Sequence, residues 1–499
     1  MSEVGLQSVV AERASRRWRQ GIPWLLTAAA LLIGFSIFVR GLNHDEGQYV
    51  GAIALMRSGW PYVDFAYLQT PLQPLVLAPL SLIPAGWLLL AARIVNGVFG
   101  FATIALLAIE LRNRVRPASL LIALGALACT ESFLWGTSLA RNDALPMLLL
   151  TGAVISLLRS LSEEKPTLQL AFAGLLLGLA TSAKINTALP AAGAVLYLLL
   201  RARKLGWKPL MAFAVGALAG LLPCVIFAVI APEQFYFGVF TYSLHAPQQW
   251  WASVGRADML QFPNRVARLL RFSAEGVILI GLAAVALDRR PSDDRRLLDL
   301  MIIGGLIGSY MPEPAYAQYL IPLLPPLVPR FALALDALLV RQRRALLLTV
   351  ALSGGYGLHY TVHLAVRAFR HGSQLVAAVE QGREAAHLAV GGSIVSLSPE
   401  VIAGGDTRLD RRFVSGPFLY RTFGALSDEA LRFGYSPNWQ RIEGALGAEP
   451  PGSILVGAEG RPHPLHPQGL DGRLVNWAKA HRYKPLVLRE GGFTLFIRG

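Results

Sequence analysis

Two adjacent carboxylates, Asp45 and Glu46, stand in the stretch His44-Asp45-Glu46-Gly47-Gln48-Tyr49, a few residues beyond an apolar run that ends at Val39. A carboxylate there can take a proton from a hydroxyl and so act as a general base. The same residues also suit a structural role. Asn43 can cap a helix with Glu46 as its partner three residues on, and both acids favour the positive end of a helix. Tyr49, Ile53 and Met56 then share one face, and Gly59 closes the helix. The two roles are compatible, because a cap fixes an acid in place. Acids at the border of an apolar body are costly unless used. Asp45 and Glu46 are therefore the candidate catalytic pair, Asp45 as the base and Glu46 mainly as the cap.

The elements that must position this pair are apolar. Of 499 residues, 54% are hydrophobic and 15% charged, where soluble domains carry about 25% charge. A spanning helix needs about 20 mostly apolar residues. Scanning on that basis predicts about eleven spans: Ile22–Val39, Ala85–Leu111, Ala118–Gly136, Asn142–Arg159, Leu168–Ala183, Ile185–Leu200, Pro209–Ala231, Phe272–Leu287, Leu297–Met311, Ala317–Leu339 and Ala345–Val366. Leu75–Leu82, short and rich in proline, reads as re-entrant or as the start of the second span. The net charge of +15 lies in short clusters between the runs. With the N-terminus in the cytoplasm, Arg112/Arg114/Arg116, Arg201/Arg203/Lys204 and Arg289/Arg290/Arg295/Arg296 all fall inside, as the positive-inside rule requires. No basic face or motif points to nucleic acid. The 40–74 loop and the 232–271 loop then lie outside. So does the tail from about 371 to 499, which reads as a small mixed α/β domain with strands at Ser393–Ser398, Ser453–Val456, Leu486–Leu488 and Phe493–Ile497, and a helix at Val475–His481. Cys129 and Cys224 sit inside apolar runs and read as core residues.

This arrangement resembles the GT-C superfamily of polyprenyl-phosphate-sugar glycosyltransferases: protein O-mannosyltransferases, lipid A aminoarabinose transferases and lipopolysaccharide-core transferases, of the family 39 type. The resemblance rests on one span followed by an outer loop with an Asp-Glu motif, on Gly59-Trp60-Pro61-Tyr62-Val63-Asp64 and on Tyr67–Pro74. It implies a mostly α, polytopic GT-C fold, with residues 1–21 cytoplasmic, a transmembrane body over 22–370 and an extracytoplasmic α/β domain over 371–499. It also implies that Asp45 is the base. Gln69-Thr70-Pro71 stands where the aminoarabinose branch has Glu-Lys-Pro, which argues against that sugar. Arg141-Asn142-Asp143 resembles the family's basic-acidic pair at a helix start. In that reading Arg141 holds a phosphate oxygen and Asp143 is a second acid; in the plainer one they are an interfacial arginine and a helix-starting aspartate. Gly178–Lys184 resembles a Gly-Leu-Ala-x-x-x-Lys turn, so Lys184 either binds phosphate or snorkels. Tyr319 opens a Tyr-then-proline motif and would line the donor site; Tyr49 is a further candidate for substrate binding. The aromatic 232–271 loop is either an interfacial belt or a lid, and His245 within it is a candidate ligand or acid.

The implied function is inverting transfer of a hexose or pentose from a polyprenyl-phosphate donor to an envelope glycolipid, glycan or protein, on the outer face of a bacterial inner membrane. No nucleotide-binding fingerprint, P-loop or zinc motif is present. No cofactor is assigned; paired carboxylates would also suit a hard divalent cation. The rival readings are a transporter or flippase of lipid-linked sugar or solute, and a non-catalytic lipid-binding member of the superfamily.

Overall fold

A computed structural model describes residues 3–338, 343–421, 436–461, 468–489 and 492–499. Over the described residues, all eleven apolar stretches are mainly helical, Leu339 lying outside them. Among the described residues, five helices are long and apolar enough to cross a membrane: Gly21–Val39, Trp87–Leu111, Trp207–Ile230, Ala317–Leu338 and Ala345–His371. The number rises to seven if each of two bent pairs counts as one span. Ala144–Ser160, Thr167–Ala183 and Ile185–Leu200 are shorter.

Two stretches expected as straight spans are broken. Pro117–Ala128 and Glu131–Ser138 meet at 61°, and Phe262–Ala274 and Val277–Leu287 meet at 92°. The two breaks lie against each other. Glu131 N donates to the Glu275 carbonyl at 3.0 Å, and Val277 N donates to Thr130 Oγ1 at 2.9 Å. Each break thus satisfies backbone groups that the other leaves open, the condition for irregular backbone at membrane depth. Gly276, at φ 123°, is packed against Thr130 and leaves no room for a side chain.

Tight packing holds the helices behind the loop. Gly174 and Gly178 on one helix face Gly216 and Gly220 on Trp207–Ile230; a Cβ on Gly178 would come 2.3 Å from the Ala217 carbonyl oxygen. Paired small residues four apart on both partners let two backbones approach closely, which drives helix association in lipid.

The chain ends in a four-stranded sheet of β1 (Ile394–Ser396), β2 (Ser453–Val456), β3 (Lys484–Val487) and β4 (Thr494–Ile497), in the order β1-β2-β4-β3. The β1–β2 pair is parallel and the other pairs antiparallel. Successive side chains alternate faces. Val395, Ile454 and Phe496 pack with Leu474 and Trp477 in a small separate core. Ile394, Leu455 and Leu495 face the other way and join the core that runs back to Ile33 and Ile37 of the first helix. The sheet is therefore layered onto the helical body. The short helix Pro399–Ile402 packs on the loop helix His44–Leu55, and Ala85 N donates to Asp406 Oδ1 at 2.7 Å.

Candidate active site

The loop helix begins as the sequence predicts. Asn43 is extended (φ −125°, ψ 121°) and caps the helix, and Glu46 closes the capping box. Asp45 N donates to Asn43 Oδ1 at 3.0 Å, and Asn43 N to Glu46 Oε2 at 3.2 Å.

Glu46 does more than cap, but it does not reach the cavity at which Asp45 stands. It is fully buried, and Arg93 grips it with Nε to Oε1 at 2.8 Å and one Nη to Oε2 at 2.6 Å. Arg93 also donates to the carbonyls of Ile37, Arg40 and Gly41 at 3.1, 2.9 and 2.7 Å. These carbonyls include some that a helix C-terminus leaves open. One bidentate ion pair thus ties the end of the first span to the start of the loop helix. The catalytic part of the expectation for Glu46 is corrected on this geometry: its oxygens are taken up by the Arg93 guanidinium and the Asn43 and Ala140 amides.

Glu46 Oε1 also accepts from Ala140 N at 2.7 Å. Asn96 donates to the carbonyls of Leu139 and Arg141, both at 2.7 Å, and Gln73 donates to the Arg141 carbonyl at 2.9 Å. The Leu139–Arg141 backbone is thus pinned by three side chains, and Arg141 is aimed at the loop helix. Its Nη1 contacts Asp45, and its Nε donates to Asp143 Oδ2 at 3.1 Å. Asn142 Nδ2 reaches both Gln69 Oε1 and the Ala183 carbonyl at 3.3 Å. That tie brings the end of Thr167–Ala183 alongside, where Lys184 Nζ bonds the other oxygen of Asp143.

Asp45, Arg141, Asp143 and Lys184 therefore form one continuous chain of charges. Asp143 is fully buried behind the two cations, so it holds them in place and does not itself face the cavity. Asp45 stays partly open, with its side chain 22% exposed. His44 Nε2 lies 3.2 Å from Asp45 Oδ1. Desolvation at the cavity wall, with Arg421 and Arg141 nearby, lowers the His44 pKa to about 4, although half of the side chain is exposed. The imidazole beside the Asp45 carboxylate is then neutral near pH 7.

The cavity in front of this chain has a volume of about 1540 Å³. Tyr49, Tyr319, Asp45, Arg141 and Lys184 line it together, and Lys184 Nζ lies 6.0 Å from the centre of the Tyr319 ring. His245 is exposed and not on its wall, so the role expected for it is corrected. It points outward from the helix Tyr242–Ser253, whose Tyr242, Trp250 and Trp251 face the cavity instead. Among the described residues no group of three or more His, Cys, Asp or Glu could hold a metal ion.

The sequence reading missed Arg93 and Asn96, although polar residues three apart inside an apolar span are a functional signal. It also missed Arg421, a cation that the C-terminal part brings to the cavity wall over Trp250 and Phe418, at 4.5 and 4.8 Å. Only the fold places that residue there.

Residues 67–311 match the family model of glycosyltransferase family 87, a different family number from the type 39 expected. The match takes in Arg141, Asp143 and Lys184 and begins after Asp45. The crystal structure of ArnT from Cupriavidus metallidurans bound to undecaprenyl phosphate superposes with a TM-score of 0.59 at 16% identity, over 95% of this chain and 98% of that one. Its apo state gives 0.55 at 15%, over 96% and 98%. No curated protein sequence matches the chain. The glycosyltransferase family 87 model thus covers just under half of the chain, within the membrane body, and the fold is similar to that of ArnT over nearly the whole length of both chains.

Proposed function

We propose that the protein moves a sugar from a polyprenyl-phosphate donor to a hydroxyl of an envelope acceptor at the outer face of the membrane, with inversion and with Asp45 as general base. The observation that carries this is the charge chain Asp45–Arg141–Asp143–Lys184 on a cavity wall: a base and two cations fixed by one buried carboxylate. The undecaprenyl phosphate bound by the structural neighbour ArnT supports the donor class. A departing phosphate develops negative charge, and preorganised cations stabilise it most where water is excluded.

Arg141 serves two states. Without donor it neutralises Asp45. When phosphate oxygens occupy Arg141 and Lys184, the guanidinium is shared and Asp45 is released to accept a hydrogen bond from the acceptor hydroxyl. That oxygen attacks the anomeric carbon in line. The bond from this carbon to the phosphate oxygen breaks, its electron pair leaves with the phosphate, and the hydroxyl proton passes to Asp45. A single displacement inverts the anomeric configuration. Tyr49 and Tyr319 line the space in which the sugar turns over.

Mass spectrometry of envelope lipids and glycans from cells with and without the gene tests this. The expected result is loss of one sugar from an envelope component, with build-up of its polyprenyl-phosphate form. Unchanged glycans and lipids would overturn the proposal.

A further inference from the structure

The charge chain on the cavity wall is neutral in sum. Asp45 and Asp143 bring two negative charges, Arg141 and Lys184 two positive ones, and each acid is paired to a cation. A phosphate that enters against this set adds negative charge that it does not offset. When the bond to the anomeric carbon breaks, its electron pair stays on the phosphate oxygen. A diester with one negative charge then becomes a monoester that carries close to two near pH 7. A preorganised positive charge aimed at that oxygen stabilises the change, and an unpaired cation must supply it.

Arg421 is such a cation. It is partly buried and lines the cavity, and it has no ion pair among the described residues. Two rings hold its guanidinium in place. It lies 4.5 Å from the ring centre of Trp250, on the helix Tyr242–Ser253, and 4.8 Å from that of Phe418. Phe418 in turn packs on the ring of His44, with centroids 5.7 Å apart. Ring faces attract a cation without neutralising its charge. Arg421 and Arg141 also face the same space: the charges of both act on His44 and on Tyr316, and these two residues line the cavity. Tyr316 packs on Tyr319 with centroids 6.0 Å apart, and the Tyr319 ring is the one beside Lys184. Glu459 is on the same wall and also acts on His44, but it makes no ion pair with Arg421. A phosphate held at Arg141 and Lys184 therefore lies within the field of a third, uncompensated cation.

We propose that Arg421 completes the phosphate site, binding an oxygen of the donor phosphate and of the polyprenyl phosphate that leaves, so that the C-terminal part takes part in donor binding. This rests on the reading of a polyprenyl-phosphate donor given above.

The test titrates the purified full chain with undecaprenyl phosphate and with undecaprenol, its neutral alcohol. Wild type is expected to hold the phosphate more tightly than the alcohol. Arg421→Gln and Arg421→Met are each expected to weaken phosphate binding about 10- to 100-fold, the worth of a hydrogen bond to a charged group, and to leave alcohol binding within twofold. Either variant decides the matter if the other does not fold. Arg421→Lys keeps the charge and loses less. Added salt weakens phosphate binding less steeply in the neutral variants than in wild type. A residue that only staples the C-terminal part to the helix Tyr242–Ser253 would weaken phosphate and alcohol alike, and that result overturns the proposal. So does a folded neutral variant that holds the phosphate as wild type does. In both cases the donor reading stands, because wild type still separates phosphate from alcohol. A wild type that does not separate them overturns the donor reading and this site with it.

Discussion

Asp45 is poised by its partners. Its carboxylate is partly open, touches Arg141 and stands 3.2 Å from His44. Arg141 is the pivot, since it is the group that Asp45 and the donor phosphate would share. Arg141→Ala is expected to weaken polyprenyl-phosphate binding by about 10- to 100-fold, the worth of a charge-assisted hydrogen bond. Titration of the purified protein with polyprenyl phosphate measures this, and unchanged affinity would remove Arg141 from the donor site. Arg141→Lys should rescue only in part, because an ammonium lacks the fork that reaches Asp45 and Asp143 together. At this scale the sequence singles out Asp45, Arg141 and Lys184 because charges at a membrane edge are expensive and so stand out, and the fold brings the three to one cavity. The catalytic share given to Glu46 and the role given to His245 fail for one physical reason: a linear sequence does not show which way a side chain faces. Glu46 turns into the body toward Arg93, and His245 turns out of it.

Among the elements, the Glu46–Arg93 pair is the hinge pin between the first span and the loop helix. Both side chains are fully buried. Removing one partner of such a pair leaves an uncompensated charge and costs about 3–5 kcal/mol, whereas replacing both with well-packed neutral residues is often close to neutral. Glu46→Gln and Arg93→Met are each expected to lower thermal stability sharply, and the double variant to recover much of it. Loss in the double variant equal to the sum of the two singles would show that the residues act independently. The capping box was legible, because Asn43 and Glu46 carry it at fixed spacing. So were the strands of the C-terminal part, as short apolar runs between Gly and Pro turns; in the fold Ile394, Leu455 and Leu495 face the body and Val395, Ile454 and Phe496 face away. The two helix breaks were not. Thr130 and Glu275 sit in stretches that read as continuous apolar runs. What bends them is the contact each break makes with the other.

For the whole molecule, the loop, the Arg141 segment, the Lys184 turn and the C-terminal part converge on one cavity, although they are far apart in the chain. Hydropathy set the order of the helices. It did not reveal that the C-terminal part docks on the loop helix, because that contact is made by residues such as Pro399 and Gly47 that carry no periodic signal. The proposed orientation puts this part outside the cell. In a background with Cys129 and Cys224 replaced by alanine, Val487→Cys, at a site 76% exposed, is expected to react with a membrane-impermeant maleimide in intact cells. Reaction only after lysis would invert the orientation.

Single-turnover sugar transfer from a polyprenyl-phosphate hexose by wild type and Asp45→Asn, with polyprenyl-phosphate binding followed in parallel, tests the role of Asp45 most directly. An amide cannot take the proton, so transfer should fall by about 10²- to 10⁴-fold. Binding should hold or tighten, because Arg141 is freed. Transfer at the wild-type rate by a folded Asp45→Asn protein would contradict Asp45 as the base.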